Sequence, residues 1–211
     1  MPRLFALSAS ARSQGSRSRQ STDHAIVSFR EAGYEIDQID IGQSPPPFAD
    51  DLFLRASFTP REALDDTLRA ALAYSDSMID RLDAADEVLI ATPMYNLGMP
   101  AALKAWFDQI IRPGRTFTMT RDAASPYKGL LADRPVHLIT ARGSSAFAKD
   151  GAAAALNLLD PHLEALLNFI GLAQFHHYDM AGTDEPEFDA DLAISAMAIK
   201  PSYMPMALHT A

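Results

Sequence analysis

Apolar and polar residues fall along this chain in short blocks, and the period of each block predicts an element. Leu4-Phe5-Ala6-Leu7 is a short apolar run opening into the polar, serine-rich segment Ser8 to Ser21, a buried strand followed by a loop. From Thr22 to Ala32 the residues Ala25, Ile26 and Phe29 recur at helical spacing, and Gly33 stands as a C-terminal stop. Tyr34 to Ile41 alternates with period two, as a half-exposed edge strand does. Pro45-Pro46-Pro47 then breaks regular structure, and a polar connection is expected to about Ser57. Thr59-Pro60-Arg61-Glu62 reads as a capping box, with Thr at the N-cap, Pro at the first helical position and Glu at the third. Behind it Leu64, Leu68, Leu72, Ser75, Ile79 and Leu82 recur every three or four residues.

The second half repeats the alternation. Glu87 to Ala91 is an apolar strand ending at the loop Thr92-Pro93-Met94-Tyr95-Asn96, and a helix from about Ala101 to Ile111 stops at Pro113-Gly114. Val136 to Thr140 is a strand running into Ala141-Arg142-Gly143-Ser144-Ser145. Leu156, Leu159, Leu163, Leu166 and Ile170 mark an amphipathic helix closed by Gly171. Gln174 to Tyr178 is a last strand and Glu187 to Lys200 a weaker last helix, with Pro201 and Pro205 fraying the tail. Five strands thus alternate with five helices, which predicts right-handed βαβ crossovers and an open, doubly wound α/β fold with helices on both faces of a parallel sheet. No internal repeat or low-complexity linker divides residues 1–211, so one domain is expected. In such folds ligands sit beyond the carboxyl ends of the strands, near the switch in strand order.

Composition narrows the chemistry. The 211 residues include no cysteine, which excludes disulfides, thiolate metal sites, cysteine-ligated clusters and cysteine nucleophiles. A formal charge of −9 argues against bulk binding to nucleic acid or anionic lipid, which need a broad positive field. No apolar stretch is long enough to span a membrane, and the four apolar residues Leu4 to Leu7 are too few for a signal peptide, so a cytoplasmic location is the default expectation. His176 and His177, adjacent on a strand, would point to opposite faces and cannot chelate together, and no metal site is expected. No Gly-x-Ser-x-Gly elbow, Walker loop or Gly-x-Gly-x-x-Gly turn occurs. Asp50-Asp51 and the stretch Asp184 to Asp191 read as solvated surface.

Three loops remain. After the first strand, Ser8 to Arg19 gathers hydroxyls, a glycine and free amides at the start of a helix, either an anion cradle or a solvated Ser/Arg loop. After the third, Pro93 to Gly98 supplies a ring, a thioether, an amide and backbone donors, suited to a planar heteroaromatic ligand or, more simply, a turn whose Tyr caps the core. After the fourth, Arg142-Gly143-Ser144-Ser145 lets a backbone approach a ligand closely.

On these residues the chain resembles the FMN-dependent NADH:quinone oxidoreductases, also called FMN-dependent azoreductases, of the flavodoxin-like superfamily. The resemblance covers nearly the whole chain and rests on Ser10 with Ser16-Arg17-Ser18, on Pro93 to Asn96 followed by Leu103 to Asp108, and on Arg112-Pro-Gly-Arg-Thr116-Phe117. Lys149-Asp150-Gly151 and Phe169-Ile170-Gly171 agree as well. It implies a five-stranded flavodoxin-like sheet, FMN held without a covalent bond, and a homodimer with active sites at the interface. It further implies two-electron, ping-pong transfer from NADH or NADPH to quinones or aromatic azo compounds. Ser10 and Ser16 to Ser18 would then hold the FMN phosphate, Pro93 would belong to the cofactor site, Met94, Tyr95, Asn96 and Leu97 would lie along the isoalloxazine, and Ala141, Arg142, Gly143 and Ser144 would meet its polar edge. Tyr95 and Arg142 are candidate orienting groups, and Phe117 and Phe169 would shape the substrate cavity. The family's usual Ser-Arg-Gly-Gly is replaced here by Ala141-Arg142-Gly143-Ser144, and the histidine that follows it is absent, which bears on substrate preference. The rival readings are a flavodoxin-like electron carrier, an NAD(P)H-dependent FMN reductase and a flavin-free regulatory module on the same fold.

Overall fold

The computed structural model describes residues 1–203; the tail that contains Pro205 lies outside the described residues. Five parallel strands form the central sheet: β1 (Arg3–Ser8), β2 (Glu35–Asp40), β3 (Glu87–Pro93), β6 (Pro135–Arg142) and β7 (Gln174–Ala181), in the order β2-β1-β3-β6-β7. Leu4 of β1 pairs with both Ile36 of β2 and Glu87 of β3. That order is the flavodoxin-like arrangement, whose reversal of direction lies between β1 and β3.

The strands' period of two splits the core into two layers. Phe5, Leu7, Val88, Ile90, Val136 and Leu138 face α3 (Asp66–Asp83), α4 (Ala101–Ile110) and α5 (Leu159–Ile170). Leu4, Ala6, Leu89, Ala91, Ile139 and Ala141 face α1 (Arg17–Glu31) and α6 (Ala190–Ala196). Leu103, Trp106, Phe107 and Ile110 of α4 are all fully buried. At about 2 kcal/mol for each such side chain, burial rather than capping holds α4, whose N-cap Pro100 makes no side-chain bond.

Several boundaries differ from the sequence expectation. Helix α1 begins at Arg17, five residues before Thr22, because its buried face carries Ser18, Ser21 and Thr22. Ser21 and Thr22 donate their hydroxyls to the Arg17 and Ser18 carbonyls one turn back (3.0 and 3.1 Å), which lets polar side chains be buried. The expected polar connection to Ser57 contains α2 (Asp51–Ser57), capped by Asp50, which is therefore more than solvated surface. Thr59 to Glu62 does not open a helix: the Thr59 hydroxyl donates to the Arg55 carbonyl at 2.7 Å, a short 3-10 turn covers Arg61–Ala63, and Asp65 caps α3 one turn later. The expected Glu187–Lys200 helix is confined to α6, capped by Asp189. An antiparallel hairpin, β4 (Phe117–Met119) with β5 (Tyr127–Gly129), was not expected at all.

Candidate functional site

The loops after β1, β3, β6 and β7 meet at the carboxyl edge of the sheet, because every strand runs the same way. They enclose two adjoining hollows of about 130 and 450 Å3 that share Met94, Gly143 and Asp184 in their walls. The smaller is also lined by Ser10, Arg12, Ser16, Arg17, Ser18, Pro93, Tyr95, Ala141 and Thr183. The larger adds Asn96, Leu97, Ser144, Phe147 and Glu185.

The smaller hollow opens on the start of α1. Ser16 caps the helix, accepting from the Arg19 amide at 3.3 Å, and its Oγ lies 3.3 Å from that of Ser18. An α-helix leaves its first four amides without intrahelical partners, so those of Arg17 and Ser18 remain to face the hollow with the helix dipole behind them. Ser10 is buried with its Oγ accepting from the Arg12 amide at 3.3 Å. The Arg19 guanidinium ties the loop down by donating to the Ser10 carbonyl (2.9 Å), the Arg12 carbonyl and Asp40 (2.7 Å). A tetrahedral anion suits such a cradle of hydroxyls, amides and nearby arginines.

The loop after β3 folds as a tight turn in which Tyr95 and Gly98 exchange backbone hydrogen bonds of 2.9 and 3.0 Å. Asn96 and Leu97 sit at φ of 48° and 72°, the pair of positive angles that a type I′ turn demands. A leucine held left-handed stores strain, and Leu97 is pinned there by the Leu158 amide donating to its carbonyl at 3.0 Å. Tyr95 leans back over the crevice between β1 and β3, its hydroxyl 3.5 Å from Ser10 Oγ. Phosphate-type cradle and turn are thus adjacent. The turn presents backbone polar groups and apolar flanks beside the larger hollow, a surface for a flat ring with polar edges.

A family profile described as "Flavodoxin-like fold" matches residues 2–200. An FMN-dependent NADH:quinone oxidoreductase of Opitutus terrae is 37% identical over 204 residues, 95% of this chain and 96% of that one. The chain belongs to the FMN-dependent NADH:quinone oxidoreductase family. An FMN-dependent NAD(P)H:quinone oxidoreductase of Pseudomonas aeruginosa is 36% identical over 176 residues, 82% of this chain and 83% of its own. Among solved structures, an FMN-dependent NADH-azoreductase of Bacillus anthracis in complex with FMN superposes with a TM-score of 0.78 at 22% identity, over 92% of this chain and 93% of the other.

Against the expectation for this quinone oxidoreductase family, nearly all proposed cofactor contacts line the cleft. Arg142 does not. Period-two alternation turns its side chain to the α5 face, where it is wholly buried and donates to Thr140 Oγ1 (2.7 Å), the Phe147 carbonyl (2.9 Å) and Asp160 (3.0 Å). Its Nε lies 3.0 Å from Asp179 Oδ1 but out of line for a hydrogen bond, so that contact is Coulombic. Burial pushes the Asp179 carboxyl up, against the pull of Arg142. Phe117 and Phe169 also lie elsewhere: their rings, 4.8 Å apart, line a separate hollow of about 610 Å3 with Phe53, Phe58 and Tyr127.

The sequence reading missed a fourth contributor, the loop after β7. Thr183 and Asp184 donate their amides to the Arg142 and Gly143 carbonyls, both at 3.0 Å. Glu185 accepts from the Ser145 amide at 2.6 Å, a bond that holds its carboxyl below the usual value. The signal for this loop was Gly182, at φ 81°, which closes β7 three residues past the expected strand end at Tyr178. No group of three or more His, Asp or Glu among the described residues is placed to hold a metal, and none of the described helices is long and apolar enough to cross a membrane.

Proposed function

We propose that the protein binds FMN in this cleft and is an NAD(P)H:quinone oxidoreductase and azoreductase, residues 1–211 acting as one FMN-binding domain. The observation that carries the reading is the meeting of an anion cradle and a strained, ring-sized shelf at the β1/β3 crevice, in a chain whose relatives are named for FMN. Bound there, FMN supplies two-electron, ping-pong transfer from NADH or NADPH to a quinone or an aromatic azo compound. Ser10, Ser16, Ser18 and the Arg17 and Ser18 amides hold the phosphate. Pro93 to Leu97 support the ring, and Ala141, Gly143 and Ser144 meet its polar edge through backbone groups. Tyr95 orients. Arg142 contributes only through the loop it pins. Since the cofactor performs the electronic step, the chain has only to bind, orient and exclude water.

The reading includes a homodimer. Phe117 and Phe169, the substrate-cavity candidates, share no hollow with the cleft of their own chain. Around them Phe58 is 71% exposed, Met119 70% and Tyr127 50%, so large apolar side chains stand in water beside the two rings. A second copy seated on that face would cover it and bring these rings to the partner's cleft. Reduced nicotinamide is a cytoplasmic donor, and the reading accordingly places the protein in the cytoplasm.

The test is the visible spectrum of the purified protein, followed by NADH and NADPH oxidation with and without a benzoquinone, and sedimentation for the oligomeric state. A yellow dimer that oxidises nicotinamide only when quinone is present is the expected result. Colourless protein that cannot be reconstituted with FMN sinks the proposal. Bound flavin without nicotinamide oxidation points to an electron carrier, and flavin released on reduction to an FMN reductase.

A further inference from the structure

The two hollows of the cleft share Met94, Gly143 and Asp184 in their walls, and of these Asp184 alone has a polar side chain. Its backbone is fixed from both sides. Gly182 turns the chain at φ 81°, and the Thr183 and Asp184 amides donate to the Arg142 and Gly143 carbonyls, both at 3.0 Å. The carboxylate lies over the Gly143 α-carbon, where a Cβ would run into Asp184 Oδ2, so the glycine makes room for it. Donors of the adjoining segment are committed elsewhere: the Arg142 side chain to Asp160 and Asp179, and the Ser145 amide to Glu185. Asp184 is exposed, and its side chain makes no hydrogen bond or ion pair among the described residues.

Charge is sorted along the cleft. At the cradle end Arg12 and Arg17 line the smaller hollow, and neither is paired with a carboxylate among the described residues. Asp184 stands at the junction, beyond which the larger hollow has no Lys or Arg in its lining. An ionised carboxylate only accepts, so a ligand that covered it without bringing a donor would leave it desolvated and unpaired. A phosphate brings none, since its oxygens also accept. A ligand reaching from one hollow to the other must therefore present hydroxyl or N–H groups at the junction. The next step rests on the proposed FMN reading, with the phosphate in the smaller hollow and the ring in the larger. The part of FMN that joins them is the ribityl chain, and its hydroxyls are donors.

We propose that Asp184 accepts a hydrogen bond from a ribityl hydroxyl of FMN and so selects flavins that carry that hydroxyl. The bond is charge-assisted and stronger than one to a neutral acceptor. Arg12 and Arg17, at the phosphate end, offset the repulsion between carboxylate and phosphate. The loop after β7 thereby acquires a direct ligand contact in addition to its backbone bonds to the loop after β6.

The test titrates the full chain, freed of flavin, with FMN and with analogues that each lack one ribityl hydroxyl, in the wild type and in Asp184→Ala. All of these ligands keep the phosphate and the ring, and quenching of flavin fluorescence reads their affinities. Asp184 is exposed, so the variant should keep its circular dichroism. Wild type is expected to bind one of the analogues about tenfold or more weakly than FMN, the loss of one charge-assisted bond. In Asp184→Ala that discrimination should disappear, FMN falling to the affinity of the analogue, because hydroxyl and carboxylate are two halves of one contact. Equal affinity of the wild type for FMN and every analogue overturns the proposal. Discrimination that survives in Asp184→Ala overturns it too. That holds if the variant loses affinity for all ligands equally, as a loosened loop or a bond to the ring N3–H would give. It holds equally if affinity rises, as removal of a merely repulsive charge would give. A wild type that binds no FMN refutes the FMN reading itself, whereas FMN bound without preference among the analogues refutes the Asp184 assignment alone.

Discussion

Replacing Arg142 by Met removes a buried guanidinium while leaving its stem, and the structure sets what that should cost. The side chain is wholly buried, and three of its partners, Thr140 Oγ1, the Phe147 carbonyl and Asp160, lie within 3.0 Å, with Asp179 at the same distance. Taking one partner from a buried ion pair typically costs 3–5 kcal/mol, because the other charge is left stranded. Asp160 and Asp179 side chains keep 27% and 36% of their exposure, so water relieves part of that penalty and about 3 kcal/mol is the expected loss at pH 7.5. For a protein of this length that is a fall in melting temperature of roughly 6–12 °C. The sign with pH follows from Asp179, whose carboxyl is already raised by burial and loses its cation in the variant. A carboxyl with a raised folded value binds more protons folded than unfolded, so its contribution falls as pH rises between the two values. The gap between wild type and Arg142→Met should therefore narrow at pH 5. Urea unfolding at both pH values measures it, with Asp179→Asn added to test the pairing. A loss below about 1 kcal/mol, the size of a surface ion pair, would refute the reasoning, as would a double variant no more stable than Arg142→Met.

Other outcomes follow from single contacts. Ser16→Ala with Ser18→Ala should weaken FMN binding about tenfold or more, since each hydroxyl offers a charge-assisted bond to phosphate, and quenching of flavin fluorescence reads it. Unchanged affinity would remove the phosphate assignment. Burial alone would raise the Glu87 carboxyl, but bonds from His137, Tyr34 and the Ser202 amide outweigh it and hold the group below its usual value. Such a group contributes stability above an unfolded value of about 4.3 and loses it as pH falls through the folded value, so acid unfolding below about pH 5 should be shallower in Glu87→Gln. Gly171→Ala should cost more than about 1 kcal/mol in urea unfolding, because the residue sits at φ 108° and a Cβ there would lie 2.6 Å from the Leu131 carbonyl oxygen.

What could be read from sequence depended on whether burial and hydropathy agreed. Where they did, as in β1, β3, β6 and α4, apolar runs gave the elements within a few residues and so placed the three inspected loops correctly on one sheet edge. Helix α1 broke the agreement by burying Ser18, Ser21 and Thr22, whose hydroxyls are satisfied locally and so do not advertise a buried face. Thr59 to Glu62 had a cap's composition, but the Asp65 carboxylate, accepting from the Leu68 amide at 2.8 Å, supplies the cap at the residue where the helix begins. Strands β4 and β5 span three residues each, too few for a period to show. Arg142 was misplaced for a different reason: its neighbours Ala141 and Gly143 do line the cleft, and the strand's alternation, not its composition, decides which way the cation points.

The same alternation separates what holds the fold from what is proposed to act. Glu87, the first residue of β3, bonds to Tyr34, His137 and the Ser202 amide at the amino edge of the sheet, joining two strands and the C-terminal segment. Ser10 and Tyr95 sit at the opposite edge, beyond the last residues of β1 and β3. Six residues of β3, a rise of roughly 20 Å, lie between the two, well beyond the distance over which separate substitutions couple. Changes at Glu87 should thus alter stability and leave flavin affinity alone, while changes at Ser16 and Ser18 should do the reverse apart from about 1 kcal/mol for the lost helix cap. Arg142 is the exception, because it reaches from the core to the Phe147 carbonyl at 2.9 Å and so to the wall of the cleft. Of these variants it should lower stability well beyond the value of a single helix cap and flavin affinity with it, and a loss of stability with flavin affinity intact would show that the loop after β6 keeps its shape without its anchor.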